Sequence, residues 1–278
     1  MKHVERPLRE VDHLHIRLYT AGNITIDHHW DSEDVCSTYW RFYVNSHHGA
    51  SALVAGSRAY PLAAQRIHFI PAWVRWSCGN TRRIEHLFAH FDLLGLPGAV
   101  VRNCFPGPVT LPADERLEHD CEALRPLLGN GDGALGMAMA CEVKAVLFRC
   151  LATLIAGLAS ERAAHLVHFS HGHNPVAKAL HHIDEHLDTP FTNHLLARHC
   201  GFAESHFTRL FHHHIGQTPA QYVLERRIAN AAERLSFSDD SIERIADDCG
   251  FPDRFYFSRM FARRMGQPPA AYRRTSRR

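Results

Sequence analysis

The sequence predicts an α+β chain of two domains: a β-rich N-terminal domain extended by a helix pair, then an all-α domain of two helix-turn-helix units. Three observations predict it. Residues 24–93 are short runs of strand-forming residues punctuated by Gly, Pro and Asn, helical periodicity takes over from Asp114 to Ser160, and an internal repeat fills the last third. The 278 residues suit two domains of roughly 100–200 residues each. The expected boundaries are 1–113 for the β-rich domain, 114–169 for the helical segment, 170–175 for a linker and 176–278 for the repeat domain.

With 45% hydrophobic and 22% charged residues the chain can bury a sizeable core, which excludes disorder and low-complexity architectures. Eight cysteines occur without a C-x-x-C pair, and the opening MKHVERPLRE has no apolar stretch for a signal peptide, so a reduced, cytoplasmic protein is expected. The apolar run Met137–Leu158 carries Glu142, Lys144 and Arg149. Each would cost about 2.5–3.5 kcal/mol at a bilayer centre, so the run predicts a packed helix and no membrane contact.

In the N-terminal part, the runs TYWRFYVN, SALVAGSRAYPL, RIHFIPAWVRW and RRIEHLFAHFDL predict an antiparallel sandwich or barrel. All four tryptophans, with Tyr39 and Tyr43, fall between Trp30 and Trp76, mixed with His28, His29, His47, His48 and His68. Aromatic faces beside imidazoles suit a small polar ligand such as a sugar, stacked on a ring and hydrogen-bonded at its rim. The candidate ligand contacts are His28, Trp30, Tyr43, His68 and Trp73, against the plainer reading that these residues are core. Twenty-four histidines raise metal binding, but no set closes. His13 and His15 lack a following Glu, His182 and His186 lack the HExxH glutamate, and His165, His168, His171 and His173 crowd the linker. No metal ligand and no cofactor are expected.

Two helical segments follow, one carrying Leu117, Cys121, Leu124, Leu127 and Leu128, the other Val143, Val146, Leu147, Leu151, Leu154, Ile155 and Leu158. The second has an apolar face too wide for one neighbour.

In the repeat, Ala197, Cys200, Gly201 and Phe202 recur as Ala246, Cys249, Gly250 and Phe251. One residue out of step, Phe207, Arg209, Phe211, Gly216, Gln217, Pro219 and Tyr222 recur as Phe257, Arg259, Phe261, Gly266, Gln267, Pro269 and Tyr272. Each copy reads as a short helix, a glycine turn and a second helix, which is a helix-turn-helix. Thr192 caps the first copy; Asp240–Ser241 caps the second, with Glu243 placed to close a capping box. A longer helix from Pro219 to Leu235 joins the copies. Phe207, Leu210, Phe211 and Ile215, and Phe257, Met260, Phe261 and Met265, fall on inward faces. That leaves Ser205, Thr208, Arg209 and His212, and Arg254, Phe255, Ser258 and Arg259, facing outward. Small hydroxylated residues beside an arginine on the first half of a second helix suit a helix reading base edges in a major groove. The charge agrees: from Gly250 onward there are eight arginines against Asp253 alone.

The second copy's Gly250–Phe251, Tyr256–Phe257–Ser258–Arg259, Phe261, Gly266, Pro269 and Tyr272–Arg273 resemble the signature of the AraC-type family of bacterial transcription regulators. The resemblance covers about residues 174–275. It implies a seven-helix DNA-binding domain, base or backbone contacts from the outward residues above, and a cupin-like β-barrel sensor in front. Arg66 to Pro71 and His90 to Leu93 resemble such a sensor more weakly. Phe255 departs from the family, which more often has a small or polar residue there. The partners expected are double-stranded promoter DNA, a small-molecule effector, a second copy of the chain and RNA polymerase. The rivals are a metal-dependent cupin enzyme or metal sensor fused to a DNA-binding module, and a constitutive DNA binder. No phosphate loop, nucleophile elbow or paired acid/base motif supports an enzyme.

Overall fold

The computed structural model describes residues 14–276 apart from 55–58, 95, 130–134, 164–165 and 167–174. Most of the expected linker, and His13, His165, His168, His171 and His173, lie outside the described residues. The N-terminal domain contains β1 (His15–Ile26), β2 (Ser32–Cys36), β3 (Trp40–Asn45), β4 (Ala50–Val54), β5 (Ala59–Pro61), β6 (Ile67–Ile70), β7 (Arg75–Asn80), β8 (Ile84–Leu94), α1 (Gly98–Cys104), β9 (Val109–Thr110), α2 (Glu115–Leu124) and α3 (Met137–Ala156). The strands form two antiparallel sheets, ordered β1-β8-β3-β6-β9 and β2-β7-β4-β5. Neither closes on itself, because among the described residues no ladder joins the edges β1 and β9 to the edges β2 and β5. An open sandwich stands where the family resemblance implied a cupin-like barrel.

Strand β3, WRFYVN, is buried along its whole length because both of its faces are covered. Strands alternate sides. Trp40, Phe42 and Val44 join Leu87, Ala89 and Phe91 of β8 and Phe69 of β6 in a core shared with Leu117 and Cys121 of α2 and Val143, Leu147 and Leu154 of α3. The other face places Arg41, Tyr43 and Asn45 opposite His90, Phe88 and His86 of β8, all turned toward the second sheet. One side of this sheet is hydrocarbon, and the side facing the second sheet is lined with polar and aromatic groups. The wide apolar face of α3 is spent on this packing, which leaves Met137 and Phe148 exposed.

Seven helices follow among the described residues: α4 (Ala177–Glu185), α5 (Asn193–Cys200), α6 (Glu204–Ile215), α7 (Pro219–Phe237), α8 (Ile242–Asp248), α9 (Arg254–Met265) and α10 (Pro269–Ser276). Helices α5 and α6 are the first repeat copy; α8 and α9 are the second. The Thr192 hydroxyl caps α5 by accepting from Leu195 N, and Ser241 caps α8 by accepting from Arg244 N. With Ser241 as cap the third helical position is Arg244, so Glu243 is one residue short of closing a capping box. The box forms instead on α7, where the Thr218 hydroxyl accepts from Gln221 N and the Gln221 amide oxygen accepts from Thr218 N. Gly201 and Gly250 both sit at positive φ, 73° and 75°, where a side chain would be strained. At Gly250 a Cβ would also run into the Leu187 carbonyl and the Arg227 guanidinium.

Candidate nucleic-acid interface

The inward faces predicted for the second helices are those observed. Phe207, Phe211 and Ile215 of α6 and Phe257, Phe261 and Met265 of α9 are fully buried, while Leu210 and Met260 lie at the rims. The outward set is where the sequence placed it. On α6, Ser205, Arg209 and His212 are exposed and Thr208 is half-buried; with Glu204 and Thr218 they line one open groove. The Thr208 hydroxyl donates to the Glu204 carbonyl at 2.9 Å, and the Arg209 guanidinium lies 3.1 Å from His206 Nδ1. On α9, Arg254, Phe255 and Arg259 are exposed and Ser258 is half-buried. Phe255 is 76% exposed, so its ring is free to meet an apolar base edge such as a thymine methyl. The Arg259 guanidinium rests over the Tyr256 ring at 5.9 Å, which orients it without neutralising it.

Helix α7 holds the two units. Arg227 donates to the Leu187 and Thr189 carbonyls, tying α7 to the turn after α4. Nineteen residues at about 1.5 Å each make it roughly 28 Å long, comparable to one turn of duplex DNA.

The N-terminal domain presses on this domain at one place above all. Glu225 of α7, only 3% exposed, accepts from Arg102 of α1 at 2.9 Å and pairs with Arg264 of α9. The Trp73 ring lies beneath both guanidiniums, at 5.7 and 5.4 Å. A Cβ on Gly98 would run into this Glu225–Trp73 pair, so close approach of α1 requires glycine there. At the far end of α7, Tyr19 stacks on Phe237 and its hydroxyl meets Glu233 at 3.2 Å.

The candidate ligand contacts divide. Trp30 and Tyr43 line a cavity of about 120 Å³ between the two sheets. His68 faces the sheet interior, but both its ring nitrogens are engaged, by the Ala63 carbonyl and the Thr110 hydroxyl. His28 is exposed on a turn against His29, where Asp27, His28 and His29 bring three donor groups together. Trp73 does not reach the cavity; it is the domain contact just described. The cavity is instead completed by Tyr39, Arg41, Trp76 and His90, and on the far side by Gln267, Tyr272, Thr275 and Ser276 of the C-terminal domain. The one available sequence signal was Arg41, a charged residue inside the otherwise strand-forming run TYWRFYVN. Burial keeps His86 neutral, pushing it down to about 3, with its Nδ1 bonded to Asn45 Oδ1 at 2.7 Å. Burial also lowers His90 well below the usual histidine range.

Two tandem helix-turn-helix units on one connecting helix define a DNA-binding fold, with a β-sheet domain in front of it. A helix-turn-helix domain family matches residues 196–275. The regulatory protein SoxS of Salmonella typhimurium is 34% identical over 91 residues, 33% of this chain and 85% of SoxS. The chain belongs to the AraC family of transcriptional regulators. The MmsAB operon regulatory protein of Pseudomonas aeruginosa is 37% identical over 89 residues, 32% of this chain and 29% of that protein. The match spans only 17–33% of the first curated relatives' own length. ToxT of Vibrio cholerae has the same fold over nearly the whole chain, with a TM-score of 0.56, 10% identity, and 94% and 97% of the two chains covered. Among the described residues no helix is long and apolar enough to cross a membrane.

Proposed function

We propose that this chain is a cytoplasmic, sequence-specific DNA-binding transcription regulator, without enzymatic activity, that answers to a small molecule held in its N-terminal domain. The observation that carries it is the pair of equivalent outward surfaces: Ser205, Thr208, Arg209 and His212 on α6, and Arg254, Phe255, Ser258 and Arg259 on α9. Each would enter a major groove with an arginine placed for guanine O6 and N7. The open sheet pair serves as the compartment that the family's cupin-like sensor would provide. Effector binding there shifts the balance between arrangements of sensor and DNA-binding domain that already exist. A second copy pairs through residues 114–160, with Phe148 and Met137 as the exposed apolar groups; promoter DNA and RNA polymerase complete the assembly.

Retention of genomic fragments on the purified chain at near-physiological salt tests the reading. Enrichment of a few upstream regions, lost in Arg209→Ala and Arg259→Ala, is expected. Uniform retention by wild type and variants alike would reduce the repeat to a backbone-binding scaffold. Sedimentation as a monomer at micromolar protein would remove the dimer.

A further inference from the structure

The cavity between the sheets holds a charge with no counter-charge. Arg41 of β3 is 8% exposed, turned inward, and donates to the Tyr39 hydroxyl at 3.4 Å. Its guanidinium also lies over the Tyr39 and Trp76 rings, at 4.7 and 5.4 Å. Among the described residues no carboxylate lines the cavity, and none pairs with Arg41. Tyr43, Cys78, Tyr272 and His90 in the cavity stay neutral near pH 7: burial raises Tyr43, pushes Cys78 up to about 11, raises Tyr272, and lowers His90. A desolvated guanidinium left unpaired is costly, and proteins keep one where something else supplies the anion.

Trp76, and Tyr272 of α10, also line the space, with the Trp76 indole N–H buried without a hydrogen-bond partner and the Tyr272 hydroxyl buried beside Ser236. A guanidinium with no counter-charge in its cavity asks for an acceptor that carries negative charge. The walls that remain, Trp30, Tyr43 and Trp76, are aromatic, and their rings meet one another at 6.0–6.4 Å in a single cluster. At about 120 Å³ the cavity admits only a small ligand.

We propose that this cavity binds a small planar carboxylate, its charge held by Arg41, its ring or conjugated body packed against the cluster of Trp30, Trp76 and Tyr43, and its open side closed by α10 of the DNA-binding domain. The proposal rests on the effector reading above and gives it a ligand class. A neutral sugar fits it less well, because it would leave Arg41 unpaired. Since α10 supplies Tyr272 and Thr275, the ligand would touch both domains at once.

Tryptophan fluorescence and thermal melting of the full chain are followed with benzoate as the probe, benzamide as its neutral counterpart, and glucose. Benzoate is expected to quench the signal and raise Tm, with benzamide weaker by roughly tenfold or more, the cost of losing a charged hydrogen bond. Arg41→Met should lose benzoate by a similar factor, yet melt no lower than wild type without ligand, because an apolar chain replaces an unpaired buried charge. Equal binding of benzoate and benzamide, no response to benzoate, or Arg41→Met melting well below wild type overturns the proposal. The effector reading fails separately: it falls if no small molecule shifts operator affinity, whereas a glucose response without a benzoate response sinks the carboxylate alone.

Discussion

The two helix-turn-helix units share their sequence pattern and differ in what they rest on. The first unit's core is made of its own domain: Val176, Ala179, Ile183, Leu196, Phe207, Phe211 and Tyr222. The second unit's core draws in the sensor, since Cys36 and Trp73 pack with Phe251, Phe257, Phe261 and Met265. Charge follows the same division, because Glu225 joins Arg102 of the sensor to Arg264 of α9 and leaves α6 untouched. Duplication therefore supplies two helices with equivalent outward faces, and docking ties one of them to the N-terminal domain.

The largest expected effect separates the two cores. Phe207→Ala and Phe257→Ala should each cost about 3–5 kcal/mol. Hydrogen exchange should show Phe207→Ala loosening the first unit alone and Phe257→Ala loosening β2 and the Trp73 turn as well; equal spread from both would erase the distinction. Glu225→Gln, which weakens both ion pairs at the junction, should lower stability to urea by about 1.5–3 kcal/mol, with faster exchange in α9 and α1 and little change in α6. Arg209→Ala and Arg259→Ala should each weaken operator binding by about 1–3 kcal/mol with melting unchanged. Only the Arg259→Ala penalty should vary with effector. The smallest effect sharpens the comparison from the sensor side. His86 titrates at about 3 when folded and near 6.5 when unfolded, so the unfolded chain takes up the proton first. The neutral-His86 contribution is complete above pH 6.5 and shrinks by up to about 1.4 kcal/mol per pH unit on the way down to about 3. A melting series against pH should be flatter in His86→Asn, and the first unit's exchange should not follow it.

The C-terminal half was legible because its signals are local. A helix writes its buried face into residues three and four apart, and the turn needs a residue at positive φ, so Phe211, Gly201, Phe261 and Gly250 announced themselves. The repeat then checked each assignment against a second copy. The N-terminal half was legible only as strand content. Strand β1 begins at His15, ahead of the predicted start at residue 24, and its register slips between Leu18 and Thr20, which breaks the alternation a sequence reading relies on. Pairing of β1 with β8, some seventy residues away, is fixed by packing that no local pattern records. Trp73 shows the same limit at the site: an aromatic residue beside a strand reads as a wall of the nearest cavity. Whether it faces that cavity or the neighbouring domain depends on its turn, where it adopts φ 67°.

Trp73 and Cys36 also bear on how far the two halves can be interchanged. A chimera cut at the linker and fitted with another sensor would leave the second unit's core open where those two side chains now fill it, beside a Glu225 carboxylate deprived of Arg102. The boundary a protein engineer would choose from the chain trace is not the boundary of the packing. A working transplant would have to carry β2, the Trp73 turn and α1 along with the helices, as parts of the reading head rather than of the sensor.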